Sequence, residues 1–341
     1  MTASTLRLTL TRWLGAFTGF YKPSPSEIRA LDIVSRFLYA ARSVILVISA
    51  QAALIAGLLA ATSRAFHWRE FVLVFLGFMI AHMISNLSND YFGYRRGHDT
   101  PDSPRMRYTI HPLSGDIIRP ASLVTGILML SAAGIAIAAF FVLEHGWLAG
   151  GFLIAGVTLL FAYDAAPVSL KTIGLGELAV FLVWGPLMVG GGYAMITGRV
   201  DSAVFFISIP YGLGVMSILV GKHIDQSEFD RGKKIRTLPV LLGERISRAL
   251  EIAIIVLMYA VTGILIALGV ITPFSAIAFA AFPHAARAIG TLLRPRPDEA
   301  PPDYVGWPLW YHRKALVHNR VFGWLFILGL VIGALWPGLR L

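Results

Sequence analysis

Two polar stretches interrupt an oily chain, and each mixes carboxylates with cations. The first runs Asn86-Leu87-Ser88-Asn89-Asp90 and continues through Gly93, Arg95, Arg96 and Gly97 to Asp99. The second runs Lys222-His223-Ile224-Asp225 and continues through Glu228, Asp230, Arg231, Lys233 and Lys234 to Arg236 and Thr237. Asn86 and Asp90 are one helical turn apart and share a helix face. Their oxygens suit Mg2+, a hard cation that keeps waters and shares substrate phosphates. The guanidinium forks of Arg95, Arg96, Arg105 and Arg107 suit phosphate oxygens. Carboxylates and cations together point to a metal-bridged diphosphate held at a membrane surface. Read alone, the first stretch is described equally well as a helix C-terminus with a solvated charged loop.

A third element, Tyr163 to Lys171, offers one cation, and its Pro167 is expected to stop a helix. Glu177 follows in Gly174-Leu175-Gly176-Glu177. Near a helix N-terminus it reads equally as a capping charge and as a functional group.

The elements that must position these residues are membrane helices. Hydrophobic residues make up 56% of the chain and charged residues 14%, against ~25% charged in a soluble domain. The apolar residues fall in blocks near the ~20 residues a spanning helix needs. We expect nine spans, near Leu38–Thr62, Phe71–Tyr91, Ala121–Leu143, Leu148–Tyr163, Leu175–Thr197, Ala203–Gly221, Ala249–Val270, Pro273–Leu293 and Val321–Trp336. The fold class is therefore all-α membrane protein. Residues 1–34 read as an interfacial N-terminal segment, with Arg7 and Arg12 among leucines and aromatics. Residues 35–341 read as a single nine-helix domain whose polar cap loops are 92–120 and 222–248.

Nearly all lysines and arginines fall on the side of the N-terminus and the larger loops; Arg64, Arg69, Arg199 and Arg340 are the exceptions. That asymmetry puts the N-terminus in the cytoplasm. The net charge of +10 is thus a topology signal. Basic residues spread over juxtamembrane loops, without interleaved exposed aromatics, argue against nucleic acid as a partner. With no cysteine in the chain, disulfides, thiolate catalysis and zinc-thiolate sites are excluded.

Three motifs in order resemble the UbiA superfamily of intramembrane prenyltransferases. They are Asn86-x-x-Asn89-Asp90-Tyr91 to Gly97-x-Asp99, then Tyr163 to Pro167 with Gly174-Leu175-Gly176-Glu177 and Trp184-Gly185-Pro186, then Asp225 to Asp230 leading into Arg236-Thr237-Leu238-Pro239. The first two look most like the branch that prenylates 1,4-dihydroxy-2-naphthoate on the way to menaquinone. The resemblance implies nine helices around a central cavity opening to lipid, in the inner (cytoplasmic) membrane. It implies Mg2+, a polyprenyl diphosphate donor and a small aromatic acceptor that attacks an allylic cation.

On this resemblance Asn89, Asp90, Tyr163 and Asp230 are the catalytic candidates. Arg95, Lys171, Lys222 and Arg236 would bind the diphosphate. Asn86, Asp90, Asp225, Glu228 and Asp230 would bind metal. Asp99 matches the trailing aspartate of the naphthoate branch. The chain departs from the family pattern at Gly93 and Gln226, where aspartates are usual, and at Lys222, where asparagine is common. Those departures keep other outcomes open: cyclisation of the donor, a non-aromatic acceptor, or a non-catalytic lipid-binding or transport homologue.

Overall fold

The computed structural model describes residues 11–17, 24–109, 111–114, 117–164, 169–304 and 306–336. Every regular element among them is helical. Pro167 and part of the proposed interfacial segment, residues 1–10 and 18–23, lie outside the described residues; residues 11–17 are helical.

Among the described residues, seven helices are long and apolar enough to cross a membrane: Ser43–Thr62, Trp68–Arg95, Pro120–His145, Gly176–Thr197, Ser202–Gly232, Glu244–Ala267 and Tyr311–Leu335. Two of the nine expected segments fall outside this set. The fourth apolar block is a shorter helix, Trp147–Asp164. The eighth is a 3-10 run, Pro273–Ala281, followed by an α-helix, Phe282–Leu292. Composition could not separate these cases, because hydropathy measures partition into lipid and not hydrogen-bond register.

The sixth span is also longer than its apolar block. We expected it to end at Gly221, but the helix continues to Gly232. Its polar extension stays helical because His223, Asp225 and Asp230 are buried against partners there.

The chain divides into two compact units. The first comprises residues 1–50 and 76–137. Its core gathers Ile28, Leu31, Leu87, Leu113, Ile118 and Leu123. The short helices Pro25–Arg29, Ile33–Ala40 and Pro104–Tyr108 belong to it. Asp32 caps the second of these by accepting from the Ser35 amide at 2.9 Å, and Ser103 caps the third.

The second unit comprises residues 51–75 and 138–341. In it Ser202–Gly232 packs against Glu244–Ala267 and Tyr311–Leu335. The span Gly176–Thr197 passes through a π-helical stretch, Val183–Gly190, that contains Pro186. A wider register is one way a helix absorbs a missing proline N–H. The 3-10 run Pro273–Ala281 is covered by the last helix, where the Gly329 backbone lies against Phe274 and Ser275.

Candidate functional site

The two carboxylate-bearing helices end the same way. Trp68–Arg95 closes on Gly97, whose φ is +69°. The His98 amide returns to Gly93 O at 2.9 Å and the Gly97 amide to Tyr94 O at 3.1 Å. Ser202–Gly232 closes on Lys234, with φ +59°. There the Ile235 amide reaches Asp230 O at 2.8 Å and the Lys234 amide reaches Arg231 O at 3.1 Å. Both are Schellman closures, which satisfy the last carbonyls and turn the chain back over its final turn.

In the first unit this brings Asp90 under two arginines. Asp90 is buried, and its Oδ1 accepts from Arg105 Nε at 2.8 Å and Arg42 Nη2 at 3.2 Å. Its Oδ2 accepts from Arg105 Nη2 at 2.5 Å. The Arg105 contact is a two-pronged guanidinium–carboxylate pair, the strong geometry for such bonds. Burial works against the Arg105 charge, yet Asp90 beside it more than offsets this and raises its pKa above the ordinary arginine value. Arg42 sits at a φ of +54°, unusual for a non-glycine residue. It also donates to Asn86 O at 3.0 Å, and Asn86 Nδ2 donates to Ala41 O at 2.9 Å. Asn86, expected to ligate metal, thus ties down the Ala41–Arg42 turn. Asn89 is partly buried and Arg95 is exposed.

Asp99 and His111 complete this cluster. One ligand atom from each of Asp90, Asp99 and His111 lies within 4.8 Å of the others. His111 Nε2 is 3.3 Å from Asp99 Oδ2.

In the second unit Asp230 is buried, and Thr237 donates its hydroxyl to Asp230 Oδ2 at 3.4 Å. Lys171, Lys222 and His223 all act on Asp230 electrostatically. Partly buried Tyr163 lies against Gly176, beside Lys171. Glu177 is buried rather than solvated, and its Oε1 pairs with His223 Nδ1 at 2.7 Å. Glu228 and Arg236 are exposed.

Asp225 has another task than the metal binding expected of it. Its Oδ1 accepts from the Tyr311 amide at 3.1 Å and its Oδ2 from the His312 amide at 3.0 Å. Both oxygens satisfy the open first turn of Tyr311–Leu335, where a carboxylate also suits the helix dipole. The expected result for Asp225→Ala is a loss of about 1 kcal/mol in stability, typical of a removed cap, with an unchanged Mg2+ activation constant. Thermal unfolding in detergent and a Mg2+ titration check this, and a tenfold shift in that constant would return Asp225 to the metal set.

Sequence reasoning passed over Arg42, His111 and His223 as site residues. Arg42 lies at the edge of an apolar block and was read as a topology charge. His111 opens the run His111-Pro112-Leu113, and His223 is embedded in the second polar stretch; neither has a spacing that signals its partner.

Comparison with known proteins bears on all of this. The model of the UbiA prenyltransferase family matches residues 50–304. UbiA prenyltransferase domain-containing protein 1 of Dictyostelium discoideum is 29% identical over 164 residues, which is 44% of this chain and 48% of that protein. The 1,4-dihydroxy-2-naphthoate octaprenyltransferase of Bacillus subtilis (strain 168) is 23% identical over 283 residues, 81% of this chain and 86% of that protein. The two relatives favour no single branch. The structure of a UbiA homolog from Archaeoglobus fulgidus bound to GPP and Mg2+ superposes with a TM-score of 0.52 at 13% identity, covering 87% of this chain and 99% of that one. That likeness is one of fold.

Proposed function

Because this chain belongs to the UbiA prenyltransferase family, we propose that it transfers the prenyl group of an isoprenoid diphosphate to an aromatic acceptor resembling 1,4-dihydroxy-2-naphthoate. It is a multi-pass membrane enzyme of that family. The observation that carries the reading is that Lys171, from the turn Leu170–Ile173, acts on the same carboxylate as Lys222, which shares the helix Ser202–Gly232 with Asp230. A carboxylate beside two ammonium groups suits a diphosphate that arrives with a divalent cation. The naphthoate-like acceptor is supported by the residues Asn89-Asp90-Tyr91 with Gly97 and Asp99, and by the Bacillus relative.

The residues present fit Mg2+. In the second unit Asp230 offers hard carboxylate oxygens, the donor type this cation takes. Bound Mg2+ would supply positive charge for the leaving diphosphate. Lys171 and Lys222 hold diphosphate oxygens, and Tyr163 orients the donor. The carbon–oxygen bond to the diphosphate breaks, its electron pair departing with the diphosphate. The acceptor carbon then bonds to the prenyl carbon and gives up a proton.

We also read all nine apolar segments as crossings, with the N-terminus in the cytoplasm of a cytoplasmic-membrane protein. The one-sided distribution of arginine and lysine supports this. Residues 35–341 act as one prenyltransferase-like domain, capped by 92–120 and 222–248.

The test uses purified protein with radiolabelled prenyl diphosphate, with and without the naphthoate acceptor, in Mg2+ or EDTA. We expect a prenylated acceptor and released pyrophosphate in Mg2+ alone, with EDTA removing both. A cyclised product without acceptor would assign cyclisation instead. Binding of the donor without any pyrophosphate release would make the chain a lipid-binding homologue.

A further inference from the structure

Position 93 is where the family places a carboxylate and this chain places glycine. The structure fills that gap from elsewhere. The Schellman closure at Gly97 carries the chain back, and the His98 and Asp99 amides both return to Gly93 O, at 2.9 and 3.3 Å. The Asp99 side chain then lies on the Gly93 backbone. A Cβ built at Gly93 would collide with Asp99 Oδ2. A side chain at position 93 would have to displace the carboxylate that occupies this space.

His111 holds that carboxylate. The Leu113 amide donates to His111 Nδ1 at 3.3 Å, so the ring proton sits on Nε2 and points to Asp99 Oδ2. The ring is buried, with Tyr94 packed 5.8 Å away centroid to centroid. In this tautomer His111 is a donor, not a ligand.

Asp90 and Asp99 differ in what a cation would have to displace. Both Asp90 oxygens are taken by guanidinium N–H groups of Arg42 and Arg105. Asp99 has one hydrogen-bond partner among the described residues, His111, and its side chain keeps 14% exposure. A divalent cation reaches Asp99 without breaking a buried ion pair.

We infer that Asp99, seated on Gly93 and steadied by His111, is the cation-binding carboxylate of the first polar stretch, while Asp90 serves to fix Arg42 and Arg105. The assignment rests on the prenyltransferase reading. His111 is a positioning residue, and Gly93 is the opening that admits Asp99. The trailing aspartate of the stretch thus takes the space that a side chain at position 93 would fill.

The experiment measures Mn2+ affinity by electron paramagnetic resonance on the full chain in detergent, with a non-hydrolysable prenyl diphosphate analogue present. Asp99→Asn is expected to weaken Mn2+ binding by about 100-fold, and His111→Ala by about 10-fold, as supporting partners of metal ligands usually do. His111→Gln keeps an N–H donor and is expected to stay within about threefold of the parent, and the apo melting temperature separates positioning from folding. Gly93→Asp alone is expected to weaken binding, because its side chain lands on Asp99. Gly93→Asp with Asp99→Gly returns one carboxylate to the same place and is expected to recover binding. The inference is overturned if Asp99→Asn binds Mn2+ like the parent, or if Gly93→Asp alone strengthens binding. If Asp230→Asn loses cation binding while Asp99→Asn does not, only the Asp99 assignment fails. If the parent chain binds neither Mn2+ with the analogue nor releases pyrophosphate from donor, the prenyltransferase reading fails with it.

Discussion

Asp230→Asn is expected to lower the rate of prenyl transfer by about 10²–10³-fold, the range seen when one preorganised electrostatic group is removed from a reacting centre. Asparagine keeps the shape and can still accept from Thr237, so the buried position tolerates it. What it removes is the negative charge beside Lys171, Lys222 and His223. Lys171 and Lys222 then lose the charge that Asp230 sets against them, and the metal loses a carboxylate. Pyrophosphate release under saturating donor measures the effect, and melting temperature in detergent shows whether the fold is intact. A loss below threefold with a normal melting temperature would falsify the role given to Asp230.

The second large effect is on stability. Asp90→Ala leaves the Arg42 and Arg105 guanidiniums buried without their shared anion. Breaking a buried ion pair from one side typically costs about 3–5 kcal/mol, because the stranded charge keeps its desolvation penalty. We expect a large fall in melting temperature and in the yield of folded protein. Arg105→Lys is expected to be milder but still harmful, since an ammonium cannot reproduce the two-pronged contact. Thermal unfolding of the three proteins in one detergent checks the order. Equal melting temperatures for Asp90→Ala and the parent would mean that the arginines find other partners, and the structural role of Asp90 would be withdrawn.

These two aspartates show what a sequence can and cannot carry. The long spans were readable because lipid demands a run of apolar residues, and seven of the nine blocks are helices of spanning length. The second span runs past its expected end at Tyr91 and closes at Gly97, where glycine is the usual residue for a left-handed closure. The matching closure at Lys234 was not readable, since a lysine there carries no such signal. Arg42 was hidden for the same reason: its left-handed backbone and its reach to Asp90 are both tertiary facts. Asp225 sits in an acidic motif and looks like a metal ligand by spacing. Only the approach of Tyr311 and His312, more than eighty residues on, makes it a cap. Gly93 was read as a lost carboxylate because a motif compares positions, whereas a site is built from atoms, and the Asp99 carboxylate lies against Gly93 from six positions away.

The eighth apolar block carries a consequence about membrane thickness. A 3-10 helix climbs about 2.0 Å per residue and an α-helix about 1.5 Å. Nine residues of the first and eleven of the second give roughly 35 Å of rise, where twenty α-helical residues would give about 30 Å. The element that fails as a single long α-helix therefore still matches a hydrocarbon core of about 30 Å. It gains reach at the expense of hydrogen-bond geometry, which lipid cannot repair with water. The cover from the last helix at Gly329 shelters that weaker backbone, and on the nine-crossing reading proposed above this element would meet bilayer depth by changing helical pitch and not by adding residues.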